Sequence, residues 1–466
     1  NPRIKSVNLR HLKGSLDMSS IEKYAFPKGL QLLQRWQAGN SEAQEEMRDF
    51  FDAAIDGKFD ENFRLLAPTN RIHSTASVHM LGLGLLHDLY GIETHEYYHA
   101  DAYRYVRTNL AVSRLLGISK FYMTWAVYAW TCEPLGQKMM YPDKFPPGSD
   151  PDETLIDKAN WKKLGTPDFT TGVPAAIDRI LSATQELTGI APLLQLSAPY
   201  SLAADIYGQE PLLTDVVNEP DTVNALLDHL GDVVLGPWMD HFFERFPEGW
   251  VELSDASGSP FFIGPDNCEN MSIRSIRHTL RDKPYVDRVL DNNYRGDFVA
   301  EVKAKKRSSR RRGAIKNENS IPKRSKLLEL TDAKVSVNPV FIMRLESDNV
   351  DVSFYEAQAI ERNMPLTVGI GSPELDRNSI EDLKATKQET KEMAQRHVAA
   401  IKNVCETVDL PEDNHVGQSW PSHIYFEDIN ALSQFELVEI ILNEINRANW
   451  QLTHGTYNFG MIFVSN

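Results

Sequence analysis

Residues 91–110 read "GIETHEYYHADAYRYVRTNL" and contain His95-Glu96-Tyr97-Tyr98-His99, an H-E-x-x-H pattern. On a helix that spacing sets two imidazoles on one face, where they can hold zinc while the glutamate acts as base toward a bound water. A zinc hydrolase of this kind also needs a third ligand and a long buried helix around the motif. The flanks here, "GIET" and "ADAYRY", are polar and read as a helix start, so the spacing is expected to be fortuitous. Other chemistry-bearing residues sit where apolar runs end. Asp255 closes "VELSDAS", Glu133 follows "AWTC", Tyr200 and Asp205 follow "LSAP", His415 lies in "EDNHVGQSWPSH", and Glu427 ends "SHIYFE".

The elements that must position them are legible as an alternation. Strand-like runs fall at 72–81, 120–130, 191–199, 249–257, 334–345, 364–371, 422–428 and 457–465. Amphipathic helical segments lie between most of them, at 95–117, 174–189, 211–246, 352–362, 376–406 and 433–449. In the 376–406 segment, Asn378 followed three residues later by Glu381 predicts a capping box. About eight strands alternating with helices predict an α/β fold, a single (β/α)8 TIM-type barrel, with chemistry at the C-terminal strand ends. Residues 1–65 are expected to be an N-terminal helical extension, with 66–466 as the barrel and a basic insertion at 300–328. Two helices of the extension, near 19–39 and 41–57, each close on a glycine.

Composition narrows the function classes. The 466 residues carry a net charge of −16, yet residues 302–326 alone hold eleven Lys and Arg against Glu318. That run reads as a solvated insertion, with partner binding as the alternative, and an acidic body is a poor match to a nucleic-acid enzyme. No apolar run reaches the roughly 18 residues of a membrane span, and Cys132, Cys268 and Cys405 form no C-x-x-C pair. A cytoplasmic location with free thiols is the expectation. No G-x-G-x-x-G or G-x-x-x-x-G-K-[ST] fingerprint is present, which argues against a nucleotide cofactor.

Several stretches, in order, resemble the uroporphyrinogen decarboxylase superfamily, in particular its methyltransferase-like branch. They are "LLHDLYGIETHEYYHADAYRYVRTNLAVSRLLGI", "WTCEPLGQKMMYPDKFPP", "SAPYSLAADIYGQEPLLTDVVNEPDTVNALLDHL", "LSDASGSPFFIGPDN" and "PLTVGIGSPELDRNSIEDLK". The resemblance covers roughly residues 70–430 and implies an α/β barrel, a small-molecule substrate and commonly a homodimer. In that branch it implies a corrinoid (cobalamin) or thiol methyl acceptor, a corrinoid protein as partner, and in some members zinc. It also makes "THEYYHADA" an ordinary helix start whose Glu-Tyr-Tyr is a packing feature. This chain departs from the tetrapyrrole decarboxylases. Arg71 is the only arginine in 67–82, no aspartate occurs in 122–133, and Asp205 stands where that branch has tyrosine. It also lacks the H-x-C of the zinc-dependent thiol methylators.

The resulting expectation is a methyl- or alkyl-transferring enzyme of small organic substrates. Removing a methyl from an ether or amine calls for a proton on the leaving group, so Asp255 is expected as catalytic acid, supported by Glu133 or His415. Tyr200, Asp205, Tyr128, Trp125 and Arg71 are expected to bind substrate. His73, His79 and Glu427, with Asp255 and His415, form a candidate divalent-metal set such as zinc. Two alternatives remain open: a carboxy-lyase anchoring its acid on Arg71, Arg274 or Arg277, and a non-catalytic barrel that binds a partner through the basic arm.

Overall fold

The computed structural model describes residues 21–64, 72–292, 338–339, 352–361, 363–409 and 421–454. Arg71, His415, Trp420, the basic insertion and the strand expected at 457–465 lie outside these residues. The chain alternates helices with short strands: β1 (His73–Ala76), β2 (Met139–Met140), β3 (Gly148–Ser149), β4 (Leu193–Ser197), β5 (Trp250–Ser254), β6 (Val289–Asn292), β7 (Asn338–Pro339), β8 (Thr367–Ile370) and β9 (His423–Phe426). Among the described residues, β8, β9 and β1 make one parallel sheet with β9 central, and β4 to β7 make a second in chain order. Strands β2 and β3 form a small antiparallel hairpin. β1, β4 and β8 are buried along their whole lengths. That suits parallel strands joined by covering helices.

No ladder joins the two sheets among the described residues, so they do not form a closed ring there. The segment expected as a strand at 120–130 explains part of the gap. Its first half forms neither helix nor strand, although Lys120 N–H donates to Ser74 O at 3.0 Å, beside β1, and Val127–Cys132 turns into a helix. Thr131 on that helix accepts from Ser197 N–H of β4 at 3.0 Å, so the segment reaches from one sheet toward the other. The sequence reading missed β6, which is four residues long and half polar. It also ran β1 too far, since "HML" at 79–81 is already the first turn of the helix His79–Tyr90.

Local chemistry sets the helix ends. The expected 95–117 helix is two pieces, Thr94–Tyr98 and Ala102–Leu116, and Asp101 caps the second by accepting from the Tyr103 and Arg104 N–H groups. Asn378 does not cap the long helix Leu383–Thr407. Asp382 does, through Lys384 and Ala385 N–H, while Asn378 lies in a preceding 3-10 turn. The expected 211–246 helix is divided into Gln209–Asn218, Pro220–Leu230 and Gly236–Arg245, with Pro220 opening the second and a π-turn at Gly231–Leu235 before the third. None of the described helices is long and apolar enough to cross a membrane.

The N-terminal helices Lys28–Gln37 and Ser41–Ile55 pack into the same apolar core as the strands. Gln37 donates to the carbonyls of Ala431 and Ser433 at 2.9 and 3.0 Å, and Arg107 grips Asp60 through two nitrogens. Gly29 makes the close approach to Ala102–Leu116 possible. A Cβ there would lie 2.5 Å from Leu115 O and 2.6 Å from Tyr24 O, both backbone atoms that have no room to move. Gly29→Ala is therefore expected to cost about 2–3 kcal/mol by overpacking, read as a lower urea midpoint at unchanged slope. A loss below about 0.5 kcal/mol would show that these helices are not seated on the core as described.

Candidate functional site

At the C-terminal ends of the strands lies a cavity of about 140 Å³. Ser77 and His79 reach it from beyond β1, Trp125 and Tyr128 from the bridging segment, Gln195 from β4, and Glu252 and Ser254 from β5. Tyr425, Glu427 and Asp428 come from β9 and the turn after it, and Pro146 and Pro147 close one side. Gln195 and Glu252 are partners in the β4–β5 register, which puts them side by side on one face of the sheet. Gln195 Nε2 donates to Glu252 Oε2 at 3.4 Å and Ser254 Oγ donates to Oε1 at 3.1 Å, holding the carboxylate in place. Asp428 takes a left-handed backbone, φ 48°, and accepts from Ser77 Oγ at 3.3 Å. Strained backbone of this kind is common where a turn must present a side chain.

His79 is buried, and burial without a countercharge pushes its pKa down to about 3, so the ring is neutral at ordinary pH. Its Nδ1 lies 2.6 Å from the Tyr98 hydroxyl. Burial drives the Tyr98 phenol well above its ordinary pKa, so a neutral phenol and a neutral imidazole share this hydrogen bond. Burial likewise raises Tyr425 well above its ordinary value, and the charges of Asp428, Glu252 and Glu427 push the same way. These three carboxylates are therefore within electrostatic reach of one phenol.

Asp255 ends β5 but does not line the cavity. It is fully buried, and one oxygen accepts from Ser201 N–H (3.0 Å), Ser201 Oγ (2.6 Å) and Gly258 N–H (3.1 Å), while Ser272 Oγ bonds the other. Burial raises its pKa, and the hydrogen bonds oppose that shift. This carboxylate braces three elements and has no proton-transfer partner on the cavity wall, which moves it away from the acid role expected from sequence. Tyr200 lies in the core beside Asp255, its pKa raised chiefly by burial. Asp205 is raised to about 7 by burial and accepts from Ser149 Oγ at 3.1 Å on the hairpin. Neither Tyr200 nor Asp205 reaches the cavity.

The H-E-x-x-H residues form a different arrangement. The helix around them has only five residues, and the His95 and His99 rings stack at 4.0 Å, 14° from parallel. His99 Nδ1 donates to His95 O at 2.9 Å, and its Nε2 lies 3.8 Å from Glu133, which raises the His99 pKa. Tyr141 donates to the same Glu133 at 3.1 Å. This half-exposed group absorbs Glu133, which is thus apart from the cavity. Among the described residues no three His, Cys, Asp or Glu side chains are arranged to hold a metal. For the expected set the reason is topological. His73 opens β1 opposite His423, at the N-terminal end, whereas His79 and Glu427 lie beyond the C-terminal ends of β1 and β9. Of the candidates, the structure brings together His79, Trp125, Tyr128 and Glu427. The sequence reading missed Gln195, Glu252, Ser254, Tyr425 and Asp428. The available signal was a polar residue inside an otherwise apolar strand, "LLQLS" and "WVELS".

The fold is similar to that of a solved methyltransferase from Methanosarcina mazei, with a TM-score of 0.54 at 12% identity over 86% of this chain and 98% of that one. No family model matches the chain, and no curated protein sequence matches it.

Asp255→Ala leaves Ser201, Ser272 and Gly258 without their shared acceptor. Loss of about 3–5 kcal/mol is expected in chemical denaturation, and a change under about 1 kcal/mol would remove the brace. For His79, the unfolded state takes up a proton below pH 6.5 that the folded ring refuses, so this residue lowers stability progressively as pH falls from 6.5 toward 3. Ring resonances of labelled His79 should show the neutral form down to pH 4.5. A midpoint near 6 would contradict the burial.

Proposed function

We propose that the two parallel sheets are arcs of one (β/α)8 barrel, with the stretch at 121–126 as its second stave, and that the chain is a methyl- or alkyl-transferring enzyme acting on a small organic substrate at the strand ends. The observation that carries this reading is the cavity at the C-terminal edges. It gathers side chains from just beyond β1, the bridging segment, β4, β5 and β9 in a fold similar to that of a methyltransferase. A site assembled from several strand ends is where barrels of this kind place their chemistry. A cavity of about 140 Å³ suits a small substrate.

In such a transfer the acceptor nucleophile forms a bond to the methyl carbon as the bond from carbon to the leaving heteroatom breaks, and the electron pair stays on the heteroatom. The chain's share is to hold the substrate still and open the methyl toward the mouth. His79, its ring neutral, and the Tyr128 hydroxyl stand on the wall as hydrogen-bonding groups for a leaving oxygen. Among the described residues no three His, Cys, Asp or Glu side chains are arranged to hold a metal. The acceptor is taken to enter from the open mouth of the cavity.

The carboxy-lyase alternative loses support at the same site. A substrate carboxylate needs a cation, and no Lys or Arg is among the described residues of the wall. Arg274 is held by Asn224 and Asp228 on the helix Arg274–Leu280.

The test is a screen of methylated oxygen, nitrogen and sulfur compounds with the full chain, using cob(I)alamin and a small thiol as acceptors, with methylated product read by mass spectrometry. Turnover is expected with at least one donor class and is expected to fall by about 100-fold or more in Glu252→Gln, whose loss disturbs the substrate's seat. Carbon dioxide release without methyl transfer would overturn the reading.

A further inference from the structure

The loop that joins β2 to β3, residues 141–147, closes one side of the cavity through Pro146 and Pro147. It is a strap rather than part of the core. The side chain of Asp143 is 68% exposed and Phe145 57%, and Lys144 takes a left-handed backbone, φ 61°. Its holds are few and mostly ionic. Thr94 Oγ1 donates to Pro142 O at 2.7 Å, His87 Nδ1 lies 3.6 Å from Asp143, and Lys144 Nζ lies 3.1 Å from Asp88. At its base, Ser149 Oγ donates to Asp205 at 3.1 Å. A further hold is Tyr141, whose ring packs edge-on to His95 at 4.8 Å and whose hydroxyl donates to Glu133 Oε2 at 3.1 Å.

Glu133 is shared. Its other oxygen lies 3.8 Å from His99 Nε2, so one carboxylate joins the strap to the H-E-x-x-H turn. His99 Nδ1 faces His95 O at 2.9 Å, and a carbonyl oxygen only accepts, so the hydrogen of the neutral ring is on Nδ1. A neutral His99 therefore turns the lone pair of Nε2 toward Glu133, whereas the protonated ring turns an N–H toward it. The first arrangement repels the carboxylate and the second attracts it. The Glu133 carboxylate raises the His99 pKa, with burial opposing. Two other titratable groups meet the ring: His95 is stacked on it, and Tyr141, its phenol pushed up chiefly by burial, stands 5.6 Å away. Glu96, on the same short helix, reaches Arg104 at 3.6 Å.

We propose that residues 141–147 form a lid over the cavity, latched through Tyr141 and Glu133 by protonated His99 and released when His99 loses that proton. The lid governs access and serves any ligand of the cavity. The latch is fully present below pH 6.5, the ordinary histidine value, and is lost as pH rises through the raised value of the folded chain. Asp205, raised to about 7 by burial, titrates at the base of the same strap, so the experiment separates the two groups.

The experiment reads access to the wall through the thiol of Ser254→Cys in the full chain. Cys132, Cys268 and Cys405 are buried, and the chain without Ser254→Cys supplies their background. Reaction with methyl methanethiosulfonate is followed with and without His99→Gln at equal pH, which cancels the thiol's own titration. At about pH 6 the thiol is expected to react about 5-fold or more faster with His99→Gln, and at about pH 9 the two rates are expected to converge. Glu133→Gln, which keeps an oxygen for Tyr141 without the charge, should behave as His99→Gln does. It takes the place of that variant should His99→Gln fail to fold, as judged by its thermal transition. Equal rates at pH 6, a contrast undiminished at pH 9, or a pH dependence that Asp205→Asn removes and His99→Gln leaves would each overturn the inference.

Discussion

The rim of the site depends on one buried carboxylate. Asp255 is withdrawn from water and stays in place because the backbone and hydroxyl of Ser201, the amide of Gly258 and the hydroxyl of Ser272 converge on it. These donors belong to the helix Pro199–Tyr207, the turn after β5 and the π-turn Cys268–Ile273, so one charge fixes the relative placement of three elements. The geometry tolerates little: a Cβ on Gly258 would sit 2.3 Å from Asp255 Oδ2. Ser201 Oγ also accepts from Ser257 N–H at 3.1 Å, which ties the turn to the same helix. A satisfied network of this kind is rigid because every member loses if one moves.

That rigidity places the functional wall. Glu252 and Ser254 lie three residues and one residue before Asp255, and strand alternation sends both to the opposite face from Val251 and Leu253, which enter the core. With the end of β5 fixed, Glu252 meets Gln195 across the ladder, and the wall can be completed from β9 and the bridging segment. The same alternation that builds the core thus builds the cavity.

Much of the fold was legible in the sequence because its signals are local. β4 and β5 are apolar runs bounded by proline or glycine, and the long helices show the 3.6-residue period, so their existence followed from neighbours in the chain. What failed were features decided elsewhere. β6 has too few residues to carry a pattern, and the 120–130 run has strand composition but turns helical at Val127, where Thr131 is needed against β4. The site was half legible for the same reason. His79, Trp125, Tyr128 and Glu427 stood out by residue type at run ends. Glu252 and Gln195 lie mid-strand, and their meaning depends on a partner 57 residues away. Asp255 and Glu133 drew attention by type, yet each is occupied by partners that spacing does not reveal.

Local consistency is the ordinary rule for a folded chain, and departures from it concentrate where something other than stability is served. The H-E-x-x-H pattern is a case in which an eye-catching local motif has an ordinary structural fate: Tyr97 and Tyr98 are buried, Glu96 reaches Arg104, and the imidazoles stack at the surface. The departure lies instead in strands whose apolar runs are interrupted by Gln195 and Glu252, near a buried neutral histidine and a left-handed Asp428. Each of these choices costs stability, since an apolar residue would serve the strand interior better than Gln or Glu, and glycine or asparagine would suit the left-handed turn. They converge on one small volume, and the core around it, continuous from the N-terminal helices to the helix Phe435–His454, is large enough to carry that cost. That convergence, more than any one of these residues, is what makes the cavity the candidate site.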